Sequence, residues 1–247
     1  MGHSVSVVIP ARNEARTVGQ IVSAIVALEG VRDAIVVDDG STDATAAVAL
    51  AAGATVIEAT RGPGKGAAMA DGVAAAAGDL IVFCDADLED FDPSFITTLA
   101  STLAAAGDEV VLVKADYERV GEGGRVTELT ARPVLDLLHP ELGHIAQPLG
   151  GEYAAWKDVL EEVPFVRGYG VEMGLLLDLA ERYGPDSIRS VHLGRRRHRN
   201  RSLAELNPQA REVLAVVLAR AGLAGVNVEV LPPLAAGRAP RPARRSA

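Results

Sequence analysis

The chain has 247 residues, which suits one α/β domain or one domain with a small appendage. Hydrophobic residues make up 49 % and aromatics only 4 %, so the core must be built from small and branched aliphatics, and strands should read as Val/Ile runs. A formal net charge of −9 argues against nonspecific nucleic-acid binding, and the single cysteine, Cys84, excludes an intrachain disulfide and a cysteine-built metal site. In chain order, residues 4–9 form a β-branched run that ends at Pro10 and reads as a buried strand. Val18, Ile21, Val22, Ile25 and Val26 recur at helical spacing. Residues 34–37 form a second strand ending in Asp38-Asp39-Gly40-Ser41-Thr42-Asp43, where Ser41, Thr42 or Asp43 can cap the alanine-rich helix that follows. Residues 54–57 form a third strand, and 62–66 a glycine loop leading into a helix over 67–77. Residues 79–84 form a fourth strand ending in Asp85-Ala86-Asp87, and Asp92-Pro93 opens a helix with Phe95, Leu99 and Leu103 on one face.

The second half is less regular. Residues 109–114 read as a strand, 121–124 as a turn, and 147–151 and 168–170 as loops. Residues 171–183 read as a helix, 187–193 as a strand and 203–221 as a long amphipathic helix. From Pro232 the chain is Pro, Ala, Gly and Arg without periodicity, so 232–247 reads as a disordered tail. Strands alternating with helices predict a mostly parallel sheet with right-handed crossovers, and such sheets bind ligands at the carboxyl ends of their strands. The polar clusters after residues 9, 37 and 84 fall at those ends.

Each cluster has a chemical and a plain reading. Asp85 and Asp87, at i and i+2 past a buried strand, face the same side if the strand continues. One can then take Mg²⁺ or Mn²⁺ while the other faces a sugar or ribose. A cation there would neutralise a leaving diphosphate, whereas the plain reading is a solvated turn. Asp39 can accept from a uracil N3–H or from ribose hydroxyls while Ser41, Thr42 or Asp43 caps the helix. Gly62-Pro63-Gly64-Lys65-Gly66 is not the P-loop pattern, yet one Lys near a helix start can touch a phosphate; otherwise it is a mobile surface turn. Gly124-Arg125-Val126-Thr127 offers an N–H, a guanidinium and a hydroxyl to a phosphate or carboxylate, or is a turn that Thr127 caps. Arg195, Arg196, Arg197, Arg199 and Arg201 surround His198, and the acidic total charge favours a local anion pocket there over a nucleic-acid patch.

Taken together, Val-Val-Ile-Pro-Ala-Arg-Asn-Glu, Asp-Asp-Gly-Ser-Thr-Asp, Gly-Lys-Gly and Asp-Ala-Asp resemble the GT-A nucleotide-sugar transferases. Gly124-Arg125-Val126-Thr127-Glu128-Leu129, Gln147-Pro148-Leu149-Gly150-Gly151-Glu152-Tyr153, Gly168-Tyr169-Gly170-Val171-Glu172 and His198-Arg199-Asn200-Arg201 resemble the retaining glucosyl-3-phosphoglycerate synthases of actinobacteria. The resemblance covers about residues 4–221. It implies one GT-A catalytic domain over 1–231, with a nucleotide-sugar half to about 115 and an acceptor half beyond. It also implies UDP-glucose as donor and 3-phosphoglycerate as acceptor. By the same resemblance Pro10, Ala11, Glu14, Asp39 and Lys65 would hold the uridine diphosphate, with Asp85 and Ala86 nearer the sugar. Asp87 and His198 would hold the metal; Gly124, Arg125, Thr127 and Asn200 would bind the acceptor; Glu172 would lie beside the transferred glucose. Where this chain has Asp39 the family often has Ser, and related synthases that transfer mannose share much of the framework.

Two rivals stand beside this reading. One is a GT-A transferase acting on a lipid-linked acceptor, which should carry an apolar membrane segment; no apolar run here approaches a membrane span. The other is a noncatalytic nucleotide- or RNA-binding protein using the 195–201 run. The first ten residues lack the regions of a signal peptide and the lone cysteine suits a reducing compartment, so a cytoplasmic location is expected. Oligomeric state is not readable from the chain, although members of the family often form homodimers.

Overall fold

A computed structural model describes residues 2–120, 124–197, 202–223 and 225–235. Its strands are β1 (Val5–Ala11), β2 (Val31–Asp38), β3 (Thr55–Glu58), β4 (Leu80–Phe83), β5 (Leu112–Val120), β6 (Tyr153–Trp156), β7 (Phe165–Val166), β8 (Ile188–Arg197) and β9 (Val230–Leu231). Its helices are α1 (Val18–Val26), α2 (Thr45–Ala51), α3 (Lys65–Ala75), α4 (Ser94–Ala105), α5 (Arg132–Leu138), α6 (Lys157–Glu161), α7 (Val171–Tyr183) and α8 (Leu203–Arg220).

Seven strands form one sheet in the order β3-β2-β1-β4-β6-β5-β8. The β1–β2, β1–β4, β2–β3 and β5–β8 pairs are parallel, as the alternation of elements predicts. Buried on both faces, the parallel strands read as continuous Val/Ile runs. Val7, Val8, Ile9, Val36 and Val37 are fully buried, each such side chain contributing about 1.5–3 kcal/mol of hydrophobic stabilisation. Pro10 lies inside β1 opposite Val37 rather than ending it. The β4 partner of β1 reaches only as far as Val8, so the absent N–H of Pro10 removes no bond on that side.

Other elements differ from expectation or refine it. β6, unforeseen, runs antiparallel between β4 and β5. The helix expected from residue 67 already begins at Lys65, which puts that lysine in its first turn. Of the three candidate caps for α2, Asp43 takes the part: its Oδ1 accepts the Thr45 N–H at 2.9 Å. Finally, β7 pairs with β9 as a small second sheet, placing a strand just before Pro232. α1 and α7 span the residues their apolar spacing predicts, and the buried faces Val18, Ile21, Val22 and Ile25, and Val171, Leu175, Leu176 and Leu179, pin them to the core.

Candidate active site

An open cleft of about 200 Å³ lies at the carboxyl ends of β1, β2 and β4. Pro10, Ala11 and Glu14 line it from the end of β1, Asp39 from β2, Lys65 from the start of α3, and Asp85, Ala86 and Asp87 from the segment after β4. The register brings these ends level: Ala11 is opposite Asp38, and Val8 is opposite Phe83. Arg12, Gly64 and Tyr169 line the cleft as well, and sequence reasoning did not single them out.

The loops that carry these groups are tied to one another by side chain–backbone hydrogen bonds. Asn13 adopts φ 57°, a conformation that Asn tolerates better than most residues. Its Oδ1 accepts the Thr42 N–H at 2.8 Å, and its own N–H donates to Ser41 Oγ at 3.0 Å. Glu14 donates its N–H to Thr45 Oγ1 at 2.8 Å, so the β1 and β2 loops hold each other. The Thr45 side chain, first among its hydrogen-bond partners, keeps the Asp43 carboxyl below its ordinary range. Strand β4 stops at Phe83, and Asp85 and Asp87 follow in a turn rather than on a continuing strand. What aims this turn is Thr17, 1 % exposed at the start of α1, whose hydroxyl donates to the Ala86 carbonyl at 2.6 Å.

The glycine loop is held, not loose. Both carboxylate oxygens of Asp39 accept the Gly64 N–H at 3.1 Å. Gly64, at φ 122°, packs so closely on the Arg167 carbonyl that a Cβ would lie 2.6 Å from it, and Ala67 donates its N–H to the same oxygen at 3.0 Å. The asparate at position 39, where the resemblance leads one to expect Ser, thus anchors the loop that presents Lys65.

Lys65 is the centre of charge. Its Nζ donates to Asp85 Oδ1 at 2.7 Å and lies 2.7 Å from Glu172 Oε1. The Glu172 contact is an ion pair without hydrogen-bond alignment, and Glu172 is only 4 % exposed. Burial, the largest influence on Lys65, disfavours its charge, but Asp85 and Glu172 outweigh it and hold its pKa well above the usual lysine value. Glu172 thereby joins the cleft through Lys65. Beneath them Tyr153 is fully buried, and burial, then Glu172, pushes its phenol well above the ordinary range.

Hard carboxylate oxygens at Asp85 and Asp87 suit a hard cation, and Mg²⁺-type sites commonly take one or two carboxylates and complete their shell with substrate phosphates and water. No group of three or more His, Cys, Asp or Glu able to hold a metal occurs among the described residues, so the described protein ligands fit that shared arrangement rather than an all-protein cage. His198 and Asn200 lie outside the described residues. Gly124, Arg125 and Thr127 enter a π-helical turn, Thr127–Ala131, that leads into α5; none of the three lines the cleft, and Thr127 is buried.

A cleft at the ends of β1, β2 and β4, with an aspartate pair and a lysine facing one another, defines a nucleotide-sugar glycosyltransferase of the GT-A class. The comparisons agree. Residues 6–155 match Glycosyl transferase family 2. The glucosyl-3-phosphoglycerate synthase of Mycolicibacterium paratuberculosis is 47 % identical over 90 % of this chain and 74 % of its own. The crystal structure of the Mycobacterium tuberculosis glucosyl-3-phosphoglycerate synthase in complex with Mn²⁺, UDP-glucose and phosphoglyceric acid has a TM-score of 0.90 at 42 % identity, over 96 % of this chain and 92 % of that one. The same enzyme with Mg²⁺ and UDP gives a TM-score of 0.88 at 42 % identity, again over 96 % and 92 %. The chain belongs to glycosyl transferase family 2 and, within it, to the glucosyl-3-phosphoglycerate synthase family.

Proposed function

We propose that this chain transfers glucose from UDP-glucose to 3-phosphoglycerate with Mg²⁺ or Mn²⁺, retaining the configuration of the transferred sugar. The observation that carries the reading is the Lys65 ammonium shared between Asp85 and Glu172 at the edge of a cleft that eight residues of the family pattern line together. Pro10, Ala11, Glu14 and Asp39 receive the uridine part, where the strand ends present backbone and carboxylate groups to base and ribose. Asp87, with His198, holds the cation, which when bound offsets the charge of the diphosphate. Lys65 orients Asp85 and Glu172 beside the glucose and keeps a positive charge close to the departing phosphate.

In a retaining transfer of this kind the acceptor hydroxyl approaches from the face the diphosphate leaves, and its proton passes to the departing phosphate oxygen. The task of the chain is then to fix both partners and the charge between them. For the acceptor, Gly124, Arg125 and Thr127 with Asn200 supply the phosphate and carboxylate contacts. Support comes from the β5–β8 pairing, in which Val120 is opposite Arg197: the two strands that precede the acceptor residues in sequence end side by side. No described helix is long and apolar enough to cross a membrane, which favours this small anionic acceptor over a lipid-linked one. The cytoplasm, where nucleotide sugars and phosphorylated three-carbon acids are available, is the compartment this chemistry calls for.

A product assay that crosses UDP-glucose and GDP-mannose with 3-phosphoglycerate, with and without Mg²⁺, tests the reading. Metal-dependent glucosyl-3-phosphoglycerate from the first donor is expected. Turnover with GDP-mannose alone, or none with 3-phosphoglycerate, would overturn it.

A further inference from the structure

Lys114 lies on β5 in an otherwise apolar run and is 1 % exposed, yet it belongs to no motif that the proposed function uses. Burying an ammonium is costly unless it is paired and hydrogen-bonded, so its surroundings call for a reason. Its Nζ donates to the Gly150 carbonyl at 2.9 Å and stands 4.5 Å from the centre of the Tyr153 ring. Lys114 and Tyr153 are direct partners across β5 and β6, and Tyr153 is in turn the partner of Phe83 across β6 and β4, with ring centres 4.8 Å apart. A row of side chains therefore crosses three strands from Lys114 to the residue that ends β4, two positions before Asp85.

The carbonyl that Lys114 holds belongs to the loop that backs this aspartate. Gly151 packs on the Asp85 carboxylate so tightly that a Cβ there would collide with both of its oxygens. The far side of the loop is fixed as well: Gly150 donates its N–H to the Gln147 carbonyl at 3.1 Å, and the Glu152 carbonyl accepts from Ala115 at 3.0 Å. The Lys114 bond is a side-chain tie between this loop and β5, and a second runs from Gln147 Nε2 to the Tyr117 carbonyl at 3.3 Å.

We propose that Lys114 is a positioning residue for sugar transfer, holding the Gly150–Gly151 backbone against the Asp85 carboxylate and placing a second buried cation beneath the Lys65, Asp85 and Glu172 cluster. The inference rests on the reading of Asp85 as a donor-sugar contact. Burial is the largest influence on the Lys114 ammonium and lowers its pKa to about 8. Glu172 on α7, Glu152 before β6 and Asp85 after β4 oppose that shift, while Lys65 on α3 adds to it. Its charge is thus full well below pH 8, half lost at about pH 8 and gone well above it. An alkaline limb near pH 8 in kcat is the consequence, since only the ammonium can donate while standing as a cation over the Tyr153 ring.

The test compares wild type, Lys114→Met and Lys114→Arg as full chains in steady-state kinetics with UDP-glucose, 3-phosphoglycerate and Mg²⁺ between pH 6 and pH 10, together with calorimetry of UDP. Lys114→Met should lower kcat by about tenfold to a hundredfold, the effect of a misplaced group near the reacting centre. It should leave the Kd of UDP within about twofold, because the nucleotide contacts lie at the ends of β1 and β2, and its profile should lack the limb near pH 8. Lys114→Arg, which keeps a charge over this range, should move that limb upward whatever its kcat. Lys114→Met with kcat within twofold of wild type, or Lys114→Arg with the limb unmoved, would overturn the inference. Should Lys114→Met not fold, the Lys114→Arg profile decides alone. A wild type inactive on this donor and acceptor would instead sink the proposed reaction, a separate outcome.

Discussion

The donor and acceptor halves of the site are placed by different means. In the donor half, Ala11, Asp39 and Asp85 take their positions from strand ends set level by parallel register, and four short loops are laced together through Asn13, Thr17, Asp39 and Thr45. In the acceptor half, Gly124, Arg125 and Thr127 enter a π-helical turn after a strand whose register shifts between Asp116 and Glu118. The first arrangement is rigid because each site residue is within a few positions of a buried ladder. The second depends on what holds a turn, so its residues can be matched to a pattern without forming part of the cleft. Position along a buried strand therefore says more about geometry than a motif does.

The comparison can be broken first at Lys65, where the largest effect is expected. Lys65→Ala should lower kcat/KM by about 10²–10³-fold, the usual cost of removing a preorganised group from a developing charge. Because Asp85 and Glu172 lose their shared cation, kcat should fall together with donor affinity. Steady-state kinetics with varied UDP-glucose reads both, and a change confined to KM would reduce Lys65 to a phosphate contact.

Arg125 sharpens the other side. Arg125→Ala should weaken 3-phosphoglycerate binding by about 1.5–3 kcal/mol, the worth of a charge-assisted hydrogen bond, and leave UDP affinity unchanged. Arg125→Lys should restore part of the loss, since an ammonium lacks the guanidinium fork. Calorimetry of both ligands checks this; equal acceptor affinity in all three proteins would remove Arg125 from the site.

The smallest effect is expected at Asn13, in the lacing rather than the cleft. Asn13→Ala deletes the acceptor for the Thr42 N–H and puts a less tolerant residue at φ 57°, a loss of about 1 kcal/mol. UDP affinity should fall by less than tenfold and the melting temperature should drop slightly. A loss as large as that of Lys65→Ala would mean that the loops have no rigidity beyond this one bond.

Much of the donor half was legible because its signals are local. The 3.6-residue spacing of Val18, Ile21, Val22 and Ile25 matches α1, and the aspartates follow β-branched runs. β6 escaped because Tyr153–Trp156 is a short, fully buried apolar run after a glycine pair, and such a run carries no period that separates strand from helix. Thr17 left no trace: its partner is a backbone carbonyl far along the chain. Lys114 did leave one, as a single charged residue in the run Val-Val-Leu-Val-Lys-Ala, which is the mark of a buried cation with a specific partner. Tyr169 lay within a quoted motif, but only the fold brings its loop over Gly64.

The insertion of β6 between β4 and β5 also governs the order in which the molecule can be made. As the chain emerges during synthesis, β1 to β4 can pair in parallel, but one edge of β4 stays open until Tyr153–Trp156 has been translated, because no earlier strand neighbours it there. An apolar strand edge exposed for that interval invites pairing with another chain. The antiparallel strand that joins β4 to β5 is therefore also the step that covers the open edge of β4, and a chain stopped before β6 should aggregate rather than accumulate as a donor-binding fragment.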